Sequence, residues 1–140
     1  MITEQEIINF IEKEFWKSKL ISDSDVFSVV GIDGDDCDEF LQKYSEKYSV
    51  NMNDFLWYFH YQDEASLTSF NIGGSLFKSP NQSVTMIPIT PKMLTEFANS
   101  KKWSVDYPEH NLPKYRYDII ISWSFIFLLI ILITIIIFLQ

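Results

Sequence analysis

The stretch DGDDCDEFLQKYSEKY, Asp33–Tyr48, decides the fold class. Cys37, Phe40, Leu41, Tyr44 and Tyr48 fall at i, i+3, i+4, i+7 and i+11. That is one continuous apolar stripe at the helical period. Asp33-Gly34-Asp35 supplies a turn and an N-cap, and Asp36, Asp38 and Glu39 crowd the first turn, where the helix dipole favours negative charge.

Upstream, Thr3-Glu4-Gln5-Glu6 fits a capping box, and Ile7, Phe10, Ile11 and Phe15 follow at helical spacing. A first helix is expected from about Glu4 to Lys17. The intervening loop carries Leu20, Ile21, Val26, Phe27, Val29, Val30 and Ile32, too many apolar residues for a solvated linker, so it is expected to be pinned to the core. Downstream, Asn53-Asp54 is expected to cap a shorter helix with Phe55, Leu56, Tyr58 and Phe59 as its apolar content. From Gln62 the pattern dissolves. Gly73-Gly74 and Pro80-Asn81 mark a loop insertion over 62–86, in which Leu67, Phe70, Ile72, Leu76 and Phe77 can form a short hairpin or dock on the domain. Thr90-Pro91 signals a last helix by N-cap and Pro at N1, with Met93, Leu94, Phe97 and Ala98 buried and Lys101-Lys102-Trp103 closing it.

Ile119–Leu139 reads IIISWSFIFLLIILITIIIFL and carries no charge. A helix of that length is about 31 Å long, close to the ~30 Å hydrocarbon core of a bilayer. The expected architecture is therefore mainly α. A helical domain over 1–104 is followed by a stiff, exposed juxtamembrane linker over 105–118 and a single transmembrane helix over 119–139 that ends the chain. The acidic, polar N-terminus is unlike a signal peptide. Lys101, Lys102, Lys114 and Arg116 precede the span, which places the domain in the cytoplasm of a bacterial inner-membrane, tail-anchored protein. Tyr107, Tyr115, Tyr117 and Trp123 are expected as an aromatic belt. Ser122, Ser124 and Thr134 are expected to bond back to the helix backbone.

Every charged residue lies before the span, so the net charge of −8 belongs to the soluble part. That disfavours nucleic acid and favours a basic protein partner, or simple solubility. Cys37 is the one cysteine, which excludes an internal disulfide, and its place in the apolar stripe reads as a buried structural thiol. The histidines, His60 and His110, have no ligand partner at zinc spacing. The acidic run lacks the glycine that a calcium loop requires. No catalytic triad, phosphate-binding loop or zinc-protease signature is present, so neither metal, cofactor nor catalytic residue is assigned.

Val30-Gly31-Ile32-Asp33-Gly34-Asp35-Asp36, then Glu39, Leu41 and Tyr48, resemble the entry to the second helix of acyl carrier proteins. Ile89-Thr90-Pro91 and Leu94-Thr95 resemble the carrier entry to the last helix. The resemblance implies an acyl carrier-like helical bundle. At the position of the carrier serine that holds 4′-phosphopantetheine stands Gly34, which has no hydroxyl. A closer similarity links residues 31–41 and Lys101-Lys102-Trp103 to a family of short acidic enterobacterial proteins known as domain of unknown function 1493. That similarity implies a carrier-like fold and no assigned activity.

Between Ser22 and Gln42 there are seven acidic residues and no basic one. Carriers dock basic enzymes on their second helix, so the resemblance implies a non-enzymatic, membrane-tethered adaptor. Asp33, Asp35, Asp36, Asp38 and Glu39 would meet a basic partner. Two alternatives stand beside it: an immunity or defence factor at the inner membrane, and an acyl carrier modified on another serine such as Ser24.

Overall fold

The computed structural model describes residues 1–16, 19–63 and 72–139. Among these residues there are six α-helices, two 3₁₀ turns and no strand. The helices are α1 (Glu4–Phe15), α2 (Val26–Val30), α3 (Asp35–Tyr48), α4 (Ile72–Leu76), α5 (Pro91–Ser100) and α6 (Tyr117–Phe138).

The capping box at α1 forms as its residue types dictate. The Glu6 amide donates to the Thr3 hydroxyl at 3.3 Å, and the Thr3 amide donates to the Glu6 carboxylate at 2.7 Å. Ile7, Phe10 and Ile11 are buried, whereas Phe15 is half-buried. The helix stops at Trp16, which adopts a left-handed conformation, so the expected extension reaches Lys17, outside the described residues. All five residues of the α3 stripe are buried, against Phe10 and Phe27. At α5, Thr90 accepts from the Met93 amide at 3.2 Å, and Leu94, Phe97 and Ala98 face the core. Met93 is only half-buried.

Two interactions close the bundle. The Tyr44 hydroxyl donates to the Leu94 carbonyl at 2.5 Å, joining α3 to α5. Asn51 and Lys102 form an isolated parallel bridge, in which the Asn51 amide donates to the Lys101 carbonyl and the Trp103 amide to the Asn51 carbonyl, both at 2.9 Å. Trp103 is thereby drawn fully into the core.

The loop after α1 is pinned as expected, with Leu20, Val26, Phe27 and Val30 buried. It also contains α2, too short for a periodic signal to appear. Ile21 and Val29 of the expected apolar set are exposed.

Three expectations need correction. The helix expected after Asn53-Asp54 is replaced by a 3₁₀ turn over Trp57–Phe59. The amides of Phe55, Phe59 and His60 donate three residues back, to the carbonyls of Met52, Leu56 and Trp57. This closes tight turns in place of a helical ladder, and side chains hold other amides of the segment. The Asn53 amide donates to the Asn51 side chain, and the Leu56 amide to the Tyr107 hydroxyl. Neither a hairpin nor docking on the bundle core occurs for Ile72, Leu76 and Phe77. The α4 helix packs instead on α6. Leu67 and Phe70 lie outside the described residues. Finally, the 105–118 linker is not wholly exposed. Tyr107 is tied to the domain rather than available to a headgroup belt, and Asp118 is buried.

The last helix is long and apolar enough to cross a membrane, and its apolar window is not buried by the rest of the chain. It begins two residues earlier than the uncharged run, at Tyr117, so Asp118 enters its first turn. The Arg116 guanidinium offsets that carboxylate, with Nη2 at 2.8 Å from both Asp118 and Asp63. Ser122, Ser124 and Thr134 each donate to the carbonyl four residues back at 2.8 Å, as expected.

Candidate docking site

The N-terminus of α3 separates the five candidate carboxylates into two kinds. Asp33 accepts the Gln62 amide at 2.9 Å, while the Gly34 amide donates to the Gln62 carbonyl at 2.9 Å. Asp38 accepts the Tyr61 hydroxyl. Glu39 pairs with Lys43 at 3.0 Å. Asp33 and Asp38 thus tie the start of α3 to residues 61 and 62, whereas Glu39 makes an exposed pair within its own helix. Asp35 and Asp36 stand exposed on the same helical turn, and among the described residues no ion pair involves them.

Gly34 sits at φ 55 and ψ −131 as the N-cap of α3, a conformation closed to side-chain-bearing L-residues. Its own amide and the side chain of Asp33 before it are both bonded to Gln62, which holds the backbone in place there. A glycine is thus demanded here by the backbone. Gly34→Ser is expected to destabilise the domain by about 2 kcal/mol and to leave the intact mass unmodified when a phosphopantetheinyl transferase is co-expressed. A neutral stability change, or a phosphopantetheine adduct, would show that the site has carrier geometry after all.

Beside the exposed pair lies a groove of about 250 Å³ between α1 and α3. Phe40 is buried at its floor, and the half-buried Phe15 and Ile32 form its apolar walls. Glu14, Asp36 and Glu39 supply three carboxylates, against one cation, Lys43. Lys43 spans Glu39 and Glu14, at 3.0 and 3.2 Å. Those two hydrogen bonds hold its ammonium above the ordinary lysine range. The groove is therefore apolar within and acidic outside. Glu14, Phe15 and Ile32 were not among the sequence candidates. Only the Glu39–Lys43 spacing carried a local signal, because i and i+4 face each other on a helix.

Groups with chemical potential elsewhere are occupied. Cys37 is fully buried, and its thiol pKa is pushed up, first by burial and then by Asp33, Asp38 and Asp36. His60 Nδ1 lies 2.9 Å from the Ile87 carbonyl, which can only accept, so Nδ1 carries the proton. Nε2 then accepts the Tyr107 hydroxyl at 2.8 Å. The Tyr107 oxygen in turn accepts Trp103 Nε1 at 2.8 Å and the Leu56 amide at 3.2 Å. His110 repeats the arrangement, with Nδ1 at 2.9 Å from the Pro108 carbonyl and Nε2 at 2.8 Å from the Tyr58 hydroxyl. Folding thus brings together around Phe59 two histidines that lie fifty residues apart. Both nitrogens of each ring are engaged in structural bonds. A wider groove of about 890 Å³ runs past them, lined by Phe59, Tyr107, Glu109 and His110 among others. Among the described residues, no group of three or more His, Cys, Asp or Glu is placed to hold a metal ion.

Comparison with known proteins returned no match among the curated proteins and none among the solved structures. A family model matches residues 2–106, which takes in the helical bundle, the acidic α3 and Trp103 and stops short of α6. The chain belongs to that family, the proteins of unknown function designated DUF1493.

Proposed function

We propose that this protein is a non-enzymatic, membrane-tethered docking module. In this reading the acidic groove between α1 and α3 receives a basic segment of a protein partner. The observation that carries it is the pairing of exposed carboxylates, Asp35 and Asp36, with an apolar cleft walled by Phe15 and Ile32. A segment with a Lys or Arg next to an apolar side chain matches both features. Charge steers the encounter, and burial of the apolar neighbour prolongs it. The carrier-like use of α3 as a docking face supports the same reading, and Gly34 leaves no hydroxyl for a prosthetic group. The engaged histidines and the buried thiol support a non-enzymatic role.

In the same reading α6 spans a bacterial inner membrane, and the basic residues ahead of it put the domain in the cytoplasm. Tethering raises the effective concentration of the acidic face near membrane partners.

The test places a photo-cross-linking amino acid at position 35 of the full chain in native membranes. A salt-sensitive adduct to a basic surface is expected. Asp36→Lys, combined with Lys at position 35 in a competition format, should weaken capture by about tenfold or more. Hydrogen exchange should change only in the first turn of α3, where lysines oppose the helix dipole, because neither residue makes an ion pair within the fold. An adduct that survives charge reversal would remove the docking role, as would the absence of any adduct.

A further inference from the structure

We infer that α4, with Phe77 directly after it, is an interfacial anchor that lies in the headgroup–acyl boundary of a bilayer. This rests on the reading of α6 as a membrane span. The depth of α4 follows from its attachment. Gly73 is pressed so closely to α6 that an added Cβ would collide with the Asp118 carbonyl. The Gly73 amide donates to the Ser122 hydroxyl at 3.1 Å, and that hydroxyl donates to the Asp118 carbonyl at 2.8 Å. Small residues allow such backbone approach between membrane helices. The short helix is thus fastened to residues 118–122, where the uncharged run of α6 begins.

The outward side of this attachment is apolar. Leu76 is 69% exposed, and Ile72 and Phe77 are 38% and 42% exposed. The Phe77 ring lies 5.5 Å from that of Tyr117, so this surface runs without a break onto the exposed face of α6. Water contact would leave that apolar area unburied, whereas the boundary region takes it up. The Phe77 amide donates to the Gly73 carbonyl at 2.8 Å and the Gly73 amide is paired across to α6. The end groups that so short a helix leaves over suit the hydrated boundary rather than the hydrocarbon core. Charges sit where such an anchor needs them. Lys78 follows Phe77 and is exposed, a cation that lipid headgroups can pair, and the Asp118 carboxylate is masked by Arg116.

The experiment is nitroxide accessibility on the full chain in phosphatidylcholine–phosphatidylglycerol vesicles. Separate Leu76→Cys and Leu132→Cys variants carry the label, and the native Cys37 is buried from it. The expected result is that both labels collide more with oxygen than with a water-soluble nickel chelate, with Leu76 the shallower. Gly73→Ala should reverse that order at position 76 by detaching α4. A label at 76 open to the nickel chelate, with 132 still oxygen-dominated, would overturn the anchor and leave the span intact. Position 132 open to the chelate would overturn the span itself. A label at 76 shielded from both reagents and broadened by spin–spin coupling would assign this surface to a second copy of the chain, against the inference.

Discussion

Trp103→Ala is expected to cost about 4 kcal/mol, the largest effect of any single side chain here. Trp103 has no exposed surface, and its indole packs on Phe97 at 4.7 Å and edge-on to Phe55 at 4.9 Å and His60 at 5.4 Å. Truncation opens a cavity on three sides. It also deprives the Tyr107 oxygen of the indole donor. Domains of this size hold roughly 5–15 kcal/mol in total, so a loss of this size leaves little reserve. The check is urea unfolding of the full chain in detergent, read by hydrogen exchange of α3 amides. Trp103→Phe should recover most of the loss, because it restores ring volume without the N–H. A change in Trp103→Ala below about 1 kcal/mol would mean that the core can collapse around the site.

The second large effect is a pH dependence set by His60. Burial depresses its pKa from 6.5 to about 4, against a smaller opposing influence of the Ile87 carbonyl. The folded value lies below the unfolded one, so the unfolded chain takes up the proton first. The stabilisation is therefore complete above about pH 6.5 and is lost as pH falls toward about 4. A difference of that size corresponds to roughly 3 kcal/mol. The structure gives the cause. A protonated Nε2 would be a donor aimed at a Tyr107 oxygen whose acceptor sites already serve Trp103 and Leu56. Tyr107 must then turn away or lose a bond. Asp54, which also bears on Tyr107, is paired with Lys102 at 2.9 Å. Stability measured from pH 7 down to pH 5 should fall in the wild type and stay nearly flat in His60→Gln, a range above most carboxylate titration. Imidazole NMR that showed His60 titrating at the ordinary value would contradict this account.

Each prediction depends on groups that sequence spacing alone did not join. The helices α1, α3, α5 and α6 were legible because their signals are local: a capping box, an i, i+3, i+4 stripe, a Thr-Pro entry and an uncharged apolar run. The acidic tip was legible for the same reason. What those carboxylates do was not. Asp33 and Asp38 look alike in sequence to Asp35 and Asp36, yet Gln62 and Tyr61 claim the first two and solvent the others. Partners more than twenty residues away decide between scaffold and surface. The segment after Asn53 is likewise set from a distance: it closes in three-residue turns while its Leu56 amide is held by a hydroxyl fifty-one residues on.

By itself, then, the sequence determined the helical class, the main helix positions and the presence of one membrane-length apolar helix, because hydrophobic periodicity and run length are properties of neighbours along the chain. Tertiary structure alone decided three further things. It showed that Tyr107 belongs to the core network, that Glu14 and Phe15 complete an acidic groove with α3, and that α4 rides on α6. Those outcomes depend on which surfaces meet after the chain closes on itself. A glycine that admits a backbone at van der Waals range, or a hydroxyl with three waiting partners, leaves no periodic trace in one dimension.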